Sequence, residues 1–195
     1  AGPGSGKTGV LVARLVHLIY EQKVPPGRII VLAFNRAVVF EIRSRVRSVF
    51  TSLGYGAYVS RLRISTFHSL AMRHTKGSVG AEGLDANAIG PDSAIGNFAA
   101  QLRSQPNFAK EVVGDAQVIM VDEFQDINDD RFDILTNMAK VSGASVTAVG
   151  DDDQDIYAWD RSPRKSSVEY FKKFTETFGP DCPSINLSVN FRSVE

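Results

Sequence analysis

Cysteine is the scarcest chemically informative residue in this sequence. Cys182 is the only cysteine among the 195 residues, so a disulfide within the chain is excluded and the spacing of a cysteine-based zinc site is absent. Both absences favour a reducing, cytoplasmic setting. No apolar run approaches the roughly 20 residues that cross a bilayer, so we expect no membrane association. No secretory signal peptide is recognisable, although an upstream segment could carry one.

The chain also lacks a net charge, because 22 basic and 22 acidic side chains balance. These charges are segregated along the sequence: residues 1–80 carry a net +10, residues 81–160 a net −12 and the remainder +2. A basic segment suits polyanions such as nucleotide phosphates or a nucleic-acid backbone, and clustered aspartates suit Mg²⁺. Solvated surface charge is the alternative interpretation.

A phosphate-binding loop opens the chain, since residues 1–8 fit the pattern [AG]-x-x-x-x-G-K-[ST]. Its glycines let successive backbone N–H groups surround an anion, Lys7 adds a positive charge and the Thr8 hydroxyl can reach a magnesium ion. A helix predicted over residues 10–21 would present its N-terminus to the phosphate. A glycine-rich turn without a ligand is the alternative. Because a buried strand precedes this loop in phosphate-loop folds, we expect the chain to be a fragment without its first strand.

Hydrophobic periodicity predicts an α/β fold of the phosphate-loop type, with a mostly parallel sheet flanked by helices. Arginines at positions 36, 43 and 47 share one helix stripe, which indicates either a solvated face or a nucleic-acid contact. Residues 74–114 show only weak helical hints, around 94–102, and are interpreted as a loosely helical insertion. The predicted strands are 28–33, 62–66, 117–121, 144–149 and 184–187, and the other predicted helices are 37–50, 129–140 and 166–178.

Two carboxylates follow the predicted strand over residues 117–121. Ligands bind at the carboxyl ends of strands in open α/β sheets, so Asp122 is a candidate to hold Mg²⁺ and Glu123 to orient and deprotonate an attacking water. A solvated strand end is the alternative. Beside a phosphate loop, the arrangement favours ATP hydrolysis over binding alone.

A run of three aspartates, residues 151–153, follows the strand predicted over 144–149 and is too crowded with charge to expect in a packed interior. Just beyond it, Gln154 is a candidate sensor of a phosphate, and Tyr157 and Trp159 offer flat faces on which bases can stack. A core position is the alternative for Trp159.

Six short motifs follow one another along the chain, and their order resembles motifs I, Ia, Ib, II, III and IV of the UvrD/Rep/PcrA-like superfamily 1 DNA helicases. The resemblance covers nearly the whole chain and corresponds to the first RecA-like domain of that family. The motifs are the phosphate loop, Leu32-Ala33-Phe34-Asn35-Arg36-Ala37, Thr66-Phe67-His68-Ser69, Val121-Asp122-Glu123-Phe124-Gln125-Asp126, Gly150-Asp151-Asp152-Asp153-Gln154 with Ile156-Tyr157-Ala158-Trp159, and Asn190-Phe191-Arg192-Ser193.

The resemblance implies a Mg²⁺-dependent ATP hydrolase that moves along single-stranded DNA, usually 3′ to 5′, and unwinds DNA at junctions between duplex and single strand. It implies ATP contacts from Gly2, Gly4, Ser5, Gly6, Lys7, Thr8, Asp122, Gln154 and Arg192, with Thr8 and Asp122 at the metal and Glu123, Gln154 and Arg192 in catalysis. The implied path of single-stranded DNA is lined by Phe34, Asn35, Arg36, Thr66, Phe67, His68, Tyr157 and Trp159. A satisfied core histidine is the alternative for His68.

Some positions depart from the family's pattern. Asp155 stands where serine is usual, and Asp160 where arginine is usual, which weakens the DNA contact expected near Trp159. Residues 74–114 are too few for the family's full inserted subdomain. We therefore divide the chain into residues 1–73 and 115–195 of one ATPase domain and a reduced insertion at 74–114. Without a second RecA-like domain, the fragment is expected to bind Mg-ATP weakly and hydrolyse it poorly.

Two other functions fit the same motifs. The ATPase domain could belong to a helicase-nuclease of the same family, which clustered acidic nuclease residues further along the chain would reveal. It could also be a nucleotide- or DNA-binding module that no longer translocates, with the short insertion and the altered motif III as symptoms. The absence of ATP turnover would identify that second case.

Overall fold

The computed structural model describes residues 6–75, 91–151, 166–179 and 183–187. Helices and strands alternate along most of this length, as the periodicity predicts. The strands are β1 (Ile29–Ala33), β2 (Arg63–Thr66), β3 (Val118–Val121) and β4 (Ser145–Ala148). The helices are α1 (Lys7–Val16, extended by a π-helical turn, His17–Glu21), α2 (Arg36–Ser52), α3 (Phe67–Thr75), α4 (Pro91–Ser104), α5 (Pro106–Val113), α6 (Asp129–Ser142) and α7 (Ser167–Phe178).

The four strands form one all-parallel sheet in the order β2-β1-β3-β4. The two central strands, β1 and β3, are fully buried along their length. Strands covered on both faces are expected to be continuous apolar runs, which is what these two segments are. The α/β fold with a parallel sheet flanked by helices is therefore confirmed.

Alternate side chains of β1 and β3 enter two separate cores, one on each face of the sheet. Val31 and Met120 pack on one face with the apolar stripes of α1 and α2. Leu32 and Ile119 pack on the other face with α3 to α7. The sheet is thus a rigid layer held from both sides, and its strand ends are fixed in position relative to one another.

The segment between residues 91 and 113 is more regular than the sequence indicates. The sequence shows weak helicity only around residues 94–102, whereas α4 and α5 are two distinct helices. Phe98 and Val112 are fully buried in the core shared with α3 and α6. Burial against the rest of the protein stabilises these helices, and a single-sequence pattern does not report such tertiary packing.

The prediction of a strand over residues 184–187 is wrong. These residues have no regular secondary structure and pair with no strand among the described residues, and Ile185 is 82% exposed. A segment without a pairing strand gains neither inter-strand hydrogen bonds nor burial, so local β propensity alone does not make it a strand. Among the helices that the structure describes, none is both long and apolar enough to span a bilayer.

Candidate nucleotide and DNA site

The predicted site residues gather at one edge of the sheet because all four strands run in the same direction. The carboxyl ends of β1, β2, β3 and β4 lie side by side there. Phe34 follows β1, Asp122 follows β3, and Asp151 lies shortly after β4. Helix α1 also begins at this edge, since Thr8 of its first turn contacts the carboxylate of Asp122.

The lysine of the phosphate loop is held by an ion pair. Lys7 Nζ lies 3.3 Å from Asp151 Oδ2, and their side chains are only 10% and 0% exposed. We expected the aspartate run to be too charged for a packed interior, and for Asp151 this is wrong. The lysine supplies the counter-charge that makes burial of this carboxylate tolerable.

The residue before α1 has a left-handed backbone conformation. Gly6 adopts φ 83°, a left-handed conformation that favours glycine. Its position at the N-cap provides no side chain to accept from the first-turn N–H groups, and the first turn carries no acidic residue. These N–H groups and the positive end of the helix dipole are suited to an anion.

The oxygen ligands expected for a hard cation come together beside α1. Thr8 Oγ1 donates to Asp122 Oδ2 at 3.4 Å, and Asp122 Oδ1 accepts from the Glu123 N–H at 3.0 Å. Burial, reinforced by the nearby Glu123 carboxylate, raises the pKa of Asp122 from 3.8 to about 6. A cation would relieve this cost, so a hydroxyl next to a buried carboxylate fits Mg²⁺.

No group of three or more potential protein ligands for a metal occurs within the described ranges. This is compatible with Mg²⁺, which retains water and is commonly held by one or two carboxylates together with substrate phosphates. Asp122 and Thr8 are accordingly the protein ligands that the arrangement supports.

The candidate water-activating residue has an uncommon backbone conformation. Glu123 adopts φ 53° and ψ 50°, the left-handed region that non-glycine residues seldom occupy. Its neighbour Phe124 is completely buried, and the Phe124 N–H donates to the Val149 carbonyl at 3.0 Å. The core thus fixes the turn that directs the Glu123 side chain. Strain held by the surrounding structure at such a position is typical of functional sites.

Gln125 connects the two strand ends, a role that the sequence did not reveal. Its Nε2 donates to Glu123 Oε2 at 2.8 Å, and its Oε1 accepts from the Asp151 N–H at 3.0 Å. The amide therefore connects the candidate base with the backbone of Asp151, whose carboxylate pairs with Lys7. Both residues lie in motifs just after strands, but the sequence does not reveal their contact because it crosses from one strand end to another.

Beside the carboxylates lies an open groove of about 670 Å³. Asn35, Arg36, Thr66 and His68 line it, together with the ring of Phe34, as predicted for the DNA path. Three residues of α3 that were not predicted also line it: Ser69, Met72 and Arg73. Helical spacing could have indicated Met72 and Arg73, since they follow Ser69 by three and four positions and so share its face.

Two residues predicted to contact DNA also accept hydrogen bonds at the N-termini of helices. Asn35 Oδ1 accepts from the Val38 N–H at 2.9 Å and caps α2. Thr66 Oγ1 accepts from the Ser69 N–H at 3.0 Å at the start of α3. Capping fixes the side chains at the mouth of the groove.

The prediction that Phe67 stacks on DNA is wrong. Its side chain is only 4% exposed and packs in the core with α4 to α7, because the first residue of α3 faces the sheet. His68, the next residue, faces the groove instead. Its Nε2 is buried and accepts or donates no hydrogen bond within the part of the chain that the structure describes, so His68 is not a satisfied core histidine there.

The three arginines predicted to share one stripe of α2 have different surroundings in the structure. Arg36 lines the groove, whereas Arg43 donates to the Ile64 carbonyl at 2.6 Å and so supports β2. Arg47 is exposed. Other predicted residues lie outside the described residues: Gly2, Gly4, Ser5, Gln154, Tyr157, Trp159 and Arg192.

The chain is similar to several bacterial helicases along its whole length. It is 26% identical over 271 residues to the ATP-dependent DNA helicase PcrA of Bacillus subtilis, covering 100% of this chain and 35% of that protein. It is 25% identical to DNA helicase II of Haemophilus influenzae (99% of this chain, 36% of that protein) and 22% identical to the ATP-dependent DNA helicase Rep of Buchnera aphidicola (99% and 39%). The chain thus spans little more than a third of the length of these relatives.

The family model described as the UvrD/REP helicase N-terminal domain matches residues 1–88 and 81–179. These two matches include the phosphate loop, both carboxylates of the candidate metal and water site, and every groove residue. The chain therefore belongs to the UvrD/REP helicase N-terminal domain family.

Proposed function

We propose that this chain is the ATP-binding motor domain of an ATP-dependent DNA helicase that moves along single-stranded DNA. One observation carries the proposal. The side chains of the phosphate loop, Lys7 and Thr8, contact the carboxylates of Asp151 and Asp122 at the sheet edge where the groove also opens. A nucleotide site and a polyanion site would then share the same strand ends, as a motor that couples the two requires.

Mg-ATP would supply a phosphoanhydride bond that water can cleave and a cation that neutralises developing charge. Lys7 Nζ would exchange Asp151 for phosphate oxygens, while the Thr8 hydroxyl and the Asp122 carboxylate would hold the cation. Glu123 would orient a water molecule and accept its proton. Gln154 and Arg192 are proposed to contact the γ-phosphate on the basis of their motifs alone.

The groove has the chemistry of a single-strand site. Arg36 and Arg73 provide positive charge for phosphates, and the half-buried ring of Phe34 provides a face for a base. Asn35, Thr66 and His68 add polar groups. Stacking and phosphate contact are tolerant of sequence, which is what an enzyme needs if it moves along DNA of any sequence.

Finer properties follow from the family resemblance. We propose 3′ to 5′ movement, action at junctions between duplex and single strand, a role in DNA repair and a cytoplasmic location. Residues 1–73 and 115–195 would form one ATPase domain around a reduced insertion at 74–114. The alignment with PcrA runs over 271 positions against the 195 residues of this chain, so PcrA has residues within the aligned region that this chain lacks. Alone, the chain would turn over ATP poorly.

Replacement of Arg73 tests the groove. In the full-length protein, Arg73→Ala should weaken the binding of a fluorescein-labelled oligothymidylate and lower the slope of log affinity against log salt by about one, because one phosphate contact is lost. Fluorescence anisotropy across a salt series measures both. Arg61→Ala is the matched control, since Arg61 is exposed and precedes β2 at the opposite end of the sheet. Equal loss in the two variants would refute the assignment of the groove.

A further inference from the structure

Arg131, in the first turn of α6, is an arginine held inside the protein. Only 6% of the residue is exposed. Its guanidinium carbon lies 4.6 Å from the centre of the Phe34 ring, and Nη1 donates to the backbone carbonyl of Asp126 at 3.3 Å. A buried guanidinium is costly unless such partners compensate for lost water. The position of this charge therefore depends on Phe34 and on the turn that follows Glu123.

Phe34 and Asp126, two partners of Arg131, belong to different parts of the site. Phe34 lines the groove, whereas Asp126 ends the 3₁₀ turn that begins directly after Glu123. A small cavity of about 10 Å³ is lined by Phe34 and Arg131 together with Asp122, Glu123 and Asp126. The carboxylates of the nucleotide side and the aromatic residue on the DNA side therefore line one cavity, and Arg131 contacts Phe34 and the turn that follows Glu123.

The charge of Arg131 is not needed to cap α6. The helix N-terminus of α6 already has a cap, because Asn128 Oδ1 accepts from the Arg131 N–H at 3.0 Å. Methionine could fill the space of the arginine stem without the cost of a buried guanidinium. What the guanidinium adds is a directional link between a backbone carbonyl and an aromatic face.

We infer that Arg131 is a positioning residue that couples the nucleotide site to the DNA groove by holding the Phe34 ring against the Glu123–Asp126 turn. This inference rests on the proposed function, because it assigns a route between the two sites proposed there. Binding of Mg-ATP at Asp122 and Glu123 can shift the turn that follows them. Such a shift reaches the Phe34 ring through the Asp126 carbonyl and Arg131. DNA stacked on the ring acts on the turn by the same route.

Thermodynamic linkage supplies a readout that simple loss of packing would not change. If nucleotide alters DNA affinity by some factor, DNA alters nucleotide affinity by the same factor. This coupling factor is the ratio of the oligothymidylate dissociation constants without and with a non-hydrolysable ATP analogue and Mg²⁺. Binding of both ligands is measured by fluorescence anisotropy and competition on the full-length protein.

The comparison uses Arg131→Gln, Arg131→Lys and Phe34→Leu. We expect a coupling factor of about ten in the wild type, in either direction, and a value near one in Arg131→Gln. Arg131→Lys, which keeps the cation over the ring, should restore part of the coupling. Phe34→Leu should abolish it as well, and the double variant Arg131→Gln/Phe34→Leu should lose nothing further because both residues act in one link.

Three results would overturn the inference. They are a folded Arg131→Gln variant whose coupling factor stays within about two-fold of the wild type, a Phe34→Leu variant that keeps the wild-type factor, and a wild type that binds both ligands without coupling. If Arg131→Gln fails to fold, Phe34→Leu and Arg131→Lys decide the matter in the same way. A wild type that binds neither ligand would instead refute the proposed function.

Discussion

Asp122 provides a test of the electrostatics of the site, independent of activity. Because its pKa is raised from 3.8 to about 6 in the folded protein, the folded state retains a proton that the unfolded state releases. Its contribution to stability is therefore most favourable below about pH 4 and is lost as the pH rises to about 6. Without metal, Asp122→Asn should be more stable than the wild type near neutral pH by on the order of 2 kcal/mol.

Urea denaturation in the presence of a chelator at several pH values measures this difference. We expect the advantage of Asp122→Asn to vanish near pH 4 and to reach its full size above about pH 6. Asp115→Asn is the control, because Asp115 is exposed and forms its salt bridge with the exposed Arg28. An advantage that does not change with pH would contradict the account of Asp122.

Gly150, between β4 and Asp151, is required by close packing. A Cβ at this position would lie 2.9 Å from Gln125 Oε1, 2.9 Å from Phe171 Cζ and 3.0 Å from the Phe124 backbone nitrogen. Gly150→Ala should therefore destabilise the protein by about 1–3 kcal/mol and separate Gln125 from Asp151. Thermal unfolding measures the effect. Gly27→Ala, whose Cβ would meet nothing closer than 4.0 Å, should change stability little, and a similar loss in both would refute the packing argument.

At the scale of the elements, the side chain of Arg63 links strand β2 to helix α5 by hydrogen bonds. Arg63 of β2 donates through Nη1 to the Val113 carbonyl at 2.7 Å and through Nη2 to the Val112 carbonyl, at the C-terminal end of α5. A cation there satisfies carbonyls without helical partners and complements the helix dipole. The interaction holds the two-helix segment α4–α5 against the sheet.

Loss of this link should be measurable as stability. Arg63→Met keeps most of the apolar stem and removes the donors, and we expect it to lower the free energy of unfolding by about 1–3 kcal/mol. Chemical denaturation of Arg63→Met beside Arg61→Met measures the difference, since Arg61 is exposed. If the two variants unfold at the same denaturant concentration, the link contributes nothing.

Elements with strong local patterns could be predicted from the sequence. The apolar run of β3 and the stripe of α6 specify their own burial, and the structure confirms both within a few residues. The helices α4 and α5 could not be delimited, because tertiary contacts such as that of Arg63 stabilise them. The strand predicted at 184–187 failed for the converse reason, since a strand needs a partner that a local pattern does not specify.

At the site, sequence and structure contribute different information. Motif spacing identified Lys7, Thr8, Asp122 and Glu123 because their chemistry is tied to consecutive positions. It did not reveal Arg131, whose partner Phe34 is nearly a hundred positions earlier in the chain. It also misassigned Phe67, because neighbouring residues of a helix point in different directions, so that Phe67 enters the core and His68 faces the groove. Contacts between distant segments depend on the sheet order, which no local pattern encodes.

For the molecule as a whole, the parallel sheet brings Lys7 and Thr8, the carboxylates and the groove to one edge. Coupled ATP turnover and DNA binding is the function that this arrangement supports best. ATP turnover that depends on DNA, and not the binding of either ligand alone, is therefore the property that distinguishes this function.

The most direct measurement is steady-state ATP hydrolysis by the full-length protein, with and without single-stranded DNA, beside Glu123→Gln. We expect strong stimulation by DNA and a loss of turnover of about a hundred-fold or more in Glu123→Gln, with ATP binding retained, because only the base is removed. Glu176→Gln, on α7, is the control with the same change of charge, and it should behave as the wild type because the Glu176 side chain is 66% exposed. ATP and DNA binding without turnover would contradict the claim and identify a binding module.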